Sequence, residues 1–182
     1  MNIFYLDEDP KECAKMHNDK HVVKMCLEYA QILSTAHRVI DGKYWAGMSP
    51  SGRKVKRWIL SDDYMNARLY KATHINHPSN VWVRQNIEHY NWLLMLWHEL
   101  ASEYTHRYGK HHKSHVDLAQ SLSINPEGLE FGSFKEPPCC MDKDCIISGD
   151  SVASYRKYYM GPKKHLGVWS SREKPEWWKL SA

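Results

Sequence analysis

The sequence predicts a mainly α fold: a compact single-domain helical bundle over residues 1–182, with two long helices, two shorter helices and long loops. Three observations predict it. Apolar residues recur at helical spacing in two long stretches. Val22, Cys26, Tyr29, Leu33, Ala36 and Ile40 step alternately by four and three, and so do Val83, Ile87, Tyr90, Leu94, Trp97, Ala101, Tyr104 and Tyr108. Start and stop residues bracket both stretches. A length of 182 residues suits one domain with a sizeable core, and no internal repeat is visible.

Ile3-Phe4-Tyr5-Leu6 reads as a brief strand or an extended segment on the core. Asp9-Pro10-Lys11-Glu12 carries an N-cap, a first-turn proline and a capping-box Glu, and so opens a first helix that runs to about Ile40 and stops at Asp41-Gly42. Residues 41–57 read as a flexible loop ending in the basic run Arg53-Lys54-Val55-Lys56-Arg57. Ser61-Asp62-Asp63 caps a second helix to about Thr73. Pro78 forces a break, which puts His77 on a turn. The third helix is expected from about Ser79 to Tyr108, with Gly109 as its stop and Trp92, Met95 and Trp97 in the core. Lys110 to His115 is a second basic cluster, and residues 116–149 read as a long irregular connection. Asp150 or Ser151 caps a last helix to Met160, stopped by Gly161-Pro162. The aromatic tail 170–182, with Trp177, Trp178 and Lys179, is expected to dock on the core or to contact DNA.

Composition bounds the function. Eight Trp and eleven Tyr against three Phe favour rings that keep a polar handle and can stack on bases. A net charge of +4 permits a nucleic-acid partner without establishing one. No 18-residue apolar run exists, and the opening MNIFYLDEDP has no apolar run after a basic start. The expectation is a reduced, cytoplasmic protein with free thiols and no membrane. Cys139-Cys140-x4-Cys145 lacks the paired spacing of a zinc site.

Beside the first apolar stripe runs a polar one: Cys13, His17, His21, Lys24, Glu28, Gln31 and Thr35. On a helix His17, His21 and Glu28 fall within roughly 40° of one another. Two imidazoles and a carboxylate in line suit proton transfer or a metal. A metal site would use His17, His21 and Glu28 with His74 or His77. The i, i+4 histidines fit it, but no HExxH accompanies them.

The chain resembles the pyrimidine-dimer DNA glycosylases, small all-helical repair enzymes of phages and bacteria. Asp19-Lys20-His21 with Glu28 seven residues after the His is similar to the family's first-helix pattern, whose Glu is catalytic. Lys71-Ala72-Thr73-His74-Ile75-Asn76-His77-Pro78 is similar to a Lys-Gly-x-x-Asn-His-Pro segment of bacterial members. Tyr104 to Gly109 is similar to their Arg-Gly-Tyr helix ending, and Lys174 to Lys179 resembles the Trp-Tyr-Lys tail of the phage enzyme. The chain departs from the phage type in three places: residue 2 is Asn instead of Thr, and Leu27 and Gln31 stand where arginines flank the Glu.

The resemblance implies a glycosylase and abasic-site (AP) lyase acting on a damaged or modified base in double-stranded DNA, as a monomer without cofactor or metal. The α-amine of Met1 would attack C1′, helped by an intrinsic α-amine pKa near 8. Glu28 would stabilise the developing charge and move the proton, and His21 would orient Glu28 or bind a phosphate. Lys24, Arg53, Lys54, Lys56, Arg57, His77, Lys110, Trp177, Trp178 and Lys179 would hold DNA. A relative that binds nucleic acid without chemistry, and the metalloenzyme, are the alternative classes.

Overall fold

The computed structural model describes residues 1–180 and is mainly helical. Ser181 and Ala182, the end of the expected 170–182 tail, lie outside the described residues. Ile3 to Leu6 is buried and lies in no helix or strand, and the Leu6 amide donates back to the Phe4 carbonyl.

The first long helix is two helices. α1 covers Pro10–Met16 and α2 covers Asp19–Asp41. The joint is His17-Asn18, both in extended conformation, and the Asn18 side chain caps α2 by accepting from the His21 amide. The apolar repeat does not reveal this break, because Asn18 supplies its own cap. Asp9 caps α1 as expected, yet the capping box does not form: the Asp9 amide donates to Asp7 while Glu12 pairs with Lys15.

The expected loop over 41–57 is an antiparallel hairpin. β1 covers Lys43–Met48 and β2 covers Lys54–Ile59, with Tyr44 opposite Trp58 and Met48 opposite Lys54. Gly52, at φ 74°, closes the turn in the left-handed region that Ser-Pro-Ser-Gly allows. α3 is shorter than expected, Asp63–Arg68, capped by Asp62.

The second long helix is also divided. α4 covers Pro78–Val83 and α5 covers Ile87–Tyr108, with Asn86 capping α5 through the His89 amide. Gly109 ends α5 at φ 67°. The segment expected to be irregular begins with another helix, α6, Lys113–Leu122. α7 covers Ser151–Met160 behind Asp150, and α8, Glu176–Lys179, forms in the tail.

α2 and α5 pack against each other as their repeats require. Val22, Cys26, Tyr29, Leu33 and Ala36 are fully buried, as are Tyr90 and Trp97 from α5. The Trp97 indole donates to the Cys26 carbonyl, which also accepts from Ser114 of α6, so three helices meet at one oxygen. Trp92 joins the core, but Met95 faces outward and is half exposed. A buried ion network ties the tail to this frame. Glu103 accepts from Arg107 and Arg172, and Arg107 also reaches Asp19. Burial pushes the Glu103 carboxyl up, but hydrogen bonds from the two arginines outweigh it and the net direction is down.

Candidate active site

The start of the chain is fixed against the middle of α2. The Asn2 side-chain amide donates to the Cys140 carbonyl at 2.7 Å, and burial of Ile3 to Leu6 holds the adjoining backbone. This places the Met1 amine 3.8 Å from Glu28 Oε2. The Glu28 side chain is 16 % exposed, and its other oxygen lies 3.1 Å from Lys24 Nζ, one turn earlier and largely in solvent. The carboxylate therefore bridges an anchored amine and a solvent-facing lysine.

The segment between α3 and α4 closes the other side. Thr73 bonds to Thr35 of α2 through its amide. His74 takes φ 47°, a strained value for a residue with a Cβ. His77 caps α4, accepting from the Ser79 amide. Burial lowers the His77 imidazole below its ordinary value; the terminal ammonium and His74 push the same way, and Glu28 opposes them. Buried Asn80 holds the 73–74 turn by donating to both carbonyls, and it also reaches the Met1 sulfur. Its Oδ1 has no hydrogen-bond partner among the described residues. The Cys140 thiol sits by Ser79, and burial raises it despite the nearby ammonium.

Met1, Glu28, Lys24 and His77 are thus brought together. His74, Asn80 and Cys140 join them. The sequence points to His74 only as an alternative metal ligand, and it does not point to Asn80 or Cys140. Asn80, two residues after the helix-opening Pro78, and Cys140, from a distant segment, both arrive by tertiary packing.

His21 does not reach Glu28, contrary to expectation. Its ring stacks on Phe4 at 4.1 Å, and its Nδ1 accepts from the Tyr159 hydroxyl. Burial drives its pKa down to about 3. His17 is likewise a core group. Its Nδ1 donates to the Cys13 carbonyl and its Nε2 faces the Tyr29 hydroxyl, so both nitrogens are occupied. The break at 17–18 removes the single helix on which His17, His21 and Glu28 would have lined up. No cluster of three or more metal-ligating side chains exists among the described residues.

The other expected DNA contacts are scattered. Arg53, Lys54, Lys56 and Arg57 sit on the hairpin, and Lys110 is exposed after α5. Trp178 is buried against Trp169, and Trp177 rests on Met16 with Arg156 over its ring. Lys179 pairs with Glu173 and Glu176.

A model of the pyrimidine dimer DNA glycosylase family matches residues 1–117, a stretch that includes Met1, Lys24, Glu28, His77 and the hairpin. No curated protein and no solved structure matches the chain.

Proposed function

This chain belongs to the pyrimidine dimer DNA glycosylase family, and on that premise we propose that it removes a damaged or modified base from double-stranded DNA and then cleaves the strand as an AP lyase. One observation carries the reading: the Met1 amine is anchored 3.8 Å from a largely buried carboxylate. Ordering a terminus costs about 1–2 kcal/mol per residue, and here buried Ile3 to Leu6 offset that cost.

In this reading the neutral amine attacks C1′ as the bond to the base breaks, and the base leaves with its electron pair and takes up a proton. The new C–N bond becomes an imine when the sugar ring opens. Glu28 stabilises the positive charge developing at C1′, then takes the C2′ proton so that the 3′ phosphate departs by elimination. Water finally hydrolyses the imine and frees the amine. Lys24 and His77, on either side of the carboxylate, would hold the flanking phosphates. A damaged pair is easier to unstack, which supplies part of the selectivity.

Borohydride trapping tests the reading. Purified protein, with its N-terminus verified by mass spectrometry, is incubated with an abasic duplex and with an ultraviolet-irradiated duplex. A covalent adduct mapped to residue 1 supports the proposal. An adduct on Lys24 moves the nucleophile, and no adduct on either duplex removes the lyase.

A further inference from the structure

We propose that the hairpin of β1 and β2 is a DNA-reading arm that enters the groove of the duplex about half a helical turn from the site of base removal. This rests on the reading that the Glu28 face of α2 meets DNA.

The hairpin adds nothing to the core: none of the twelve residues of β1 and β2 is buried. An isolated two-stranded ribbon is marginal in water. This one is held at its base. Buried Arg38 of α2 donates to the Trp58 carbonyl, and Asn66 accepts from the Leu60 amide. A fold that fastens an otherwise unsupported ribbon has a use for its surface.

The chemistry of that surface is uniform. From Gly42 to Leu60 there is no acid, and the stretch carries Lys43, Arg53, Lys54, Lys56 and Arg57. None of these is ion-paired among the described residues. Between the cations stand exposed apolar groups: Tyr44 at 51 %, Trp45 at 44 % and Met48 at 57 %. The register divides them by face. Tyr44, Trp58, Lys56, Met48 and Lys54 share one side, with the Tyr44 and Trp58 rings 5.2 Å apart, and Trp45 and Arg57 pair on the other. Cations suit the phosphate walls of a groove and the apolar groups suit its floor. The major groove is wide enough for a two-stranded ribbon. A second copy of this chain fits poorly, because pairing two such ribbons would set the five cations of one against the five of the other.

The distance follows from α2. Glu28 and Gly42 are fourteen residues apart on one helix and its cap. That is about 21 Å at 1.5 Å per residue, or roughly six base pairs at 3.4 Å each when α2 lies along the duplex, as the proposal requires. The arm should therefore lie to one side of the lesion only.

The test is fluorescence anisotropy of the full chain on duplexes with a central tetrahydrofuran, an abasic analogue that cannot form the imine. The two flanks are shortened in turn from about ten to about three base pairs. Wild type should lose about tenfold in affinity when one flank is cut and little when the other is. Tyr44→Ala/Trp45→Ala should shrink this asymmetry while the salt slope stays, because the cations of the arm still meet the phosphates of that flank. Lys54→Ser/Lys56→Ser/Arg57→Ser should lower the slope by up to about 2–3. Equal dependence on both flanks, or asymmetry that is undiminished in both variants, overturns the arm. So does a dimer in gel filtration that these variants dissolve. Flank asymmetry without borohydride trapping would remove the lyase and keep the arm; trapping with equal flanks would do the reverse.

Discussion

The Met1 amine and Glu28 face each other at 3.8 Å although they stand 27 positions apart in the sequence, and the contact is made by burying residues 3–6 beneath α2.

Glu28→Gln keeps the shape and removes the charge. Strand cleavage of abasic DNA should fall by about 10²–10³-fold in single-turnover assays, with binding changed by less than a few fold. Loss of both to the same degree would show that Glu28 supports the fold instead.

Extending or acetylating the terminus should abolish borohydride trapping while leaving circular dichroism and the melting temperature near wild type. Trapping that persists at full yield with a blocked amine would assign the chemistry to a lysine.

The buried histidines set an acid limit. Burial holds His17 and His37 at about 4 and His21 at about 3; Asp41 pulls His37 the other way without winning. Their folded pKa values lie below the unfolded value near 6.5. The neutral forms therefore stabilise the protein fully above that value, and the contribution is lost as pH falls from about 6.5 toward 4. Each costs up to about 1.4 kcal/mol per pH unit in that window. Denaturant midpoints at pH 7, 6 and 5 should fall progressively, and His17→Gln/His21→Gln should flatten the dependence. A flat wild-type profile would refute this account.

Arg107 is the keystone of the buried ion network. Arg107→Leu leaves Glu103 with Arg172 alone and Asp19 with the Ser170 contacts. The expected loss is about 3–5 kcal/mol in urea unfolding. Arg172→Ala should cost less, because that side chain is one-third exposed, but it should speed proteolysis of the tail.

Much of the fold is legible in the chain. The apolar stripes on α2 and α5, the Asp9 and Asp150 caps and the Gly109 stop depend on local rules, and the structure obeys them. The family resemblance likewise rests on short segments in fixed order, and the matched family agrees with it. The misses have physical causes. Asn18 and Asn86 are caps whose helices resume almost in phase, so periodicity runs through both breaks. Ser49 to Gly52 carries a turn signal between two β-prone runs, but the charge beside it points to a flexible loop. Spacing along one helix assigns His21 to Glu28, whereas Phe4 and Tyr159, which claim its ring, come from opposite ends of the chain. Cys140 and Asn80 reach the Met1 site through tertiary packing that no local pattern records.

The stitching of Asn2 to Cys140 also bears on how the protein is made. The Leu6 carbonyl takes a bond from Arg156, and Asp19 takes bonds from Ser170, so the earliest residues are secured by some of the last. At 5–20 residues per second a ribosome needs about 7–28 s to travel from residue 2 to residue 140. Throughout most of that interval the terminal amine is out of the exit tunnel without its berth beside Glu28. Nascent and prematurely terminated chains would carry the amine but not the bonds from residues 140, 156 and 170 that secure the start of the chain. Completion of synthesis is, in effect, the step that fastens the first residues of the chain.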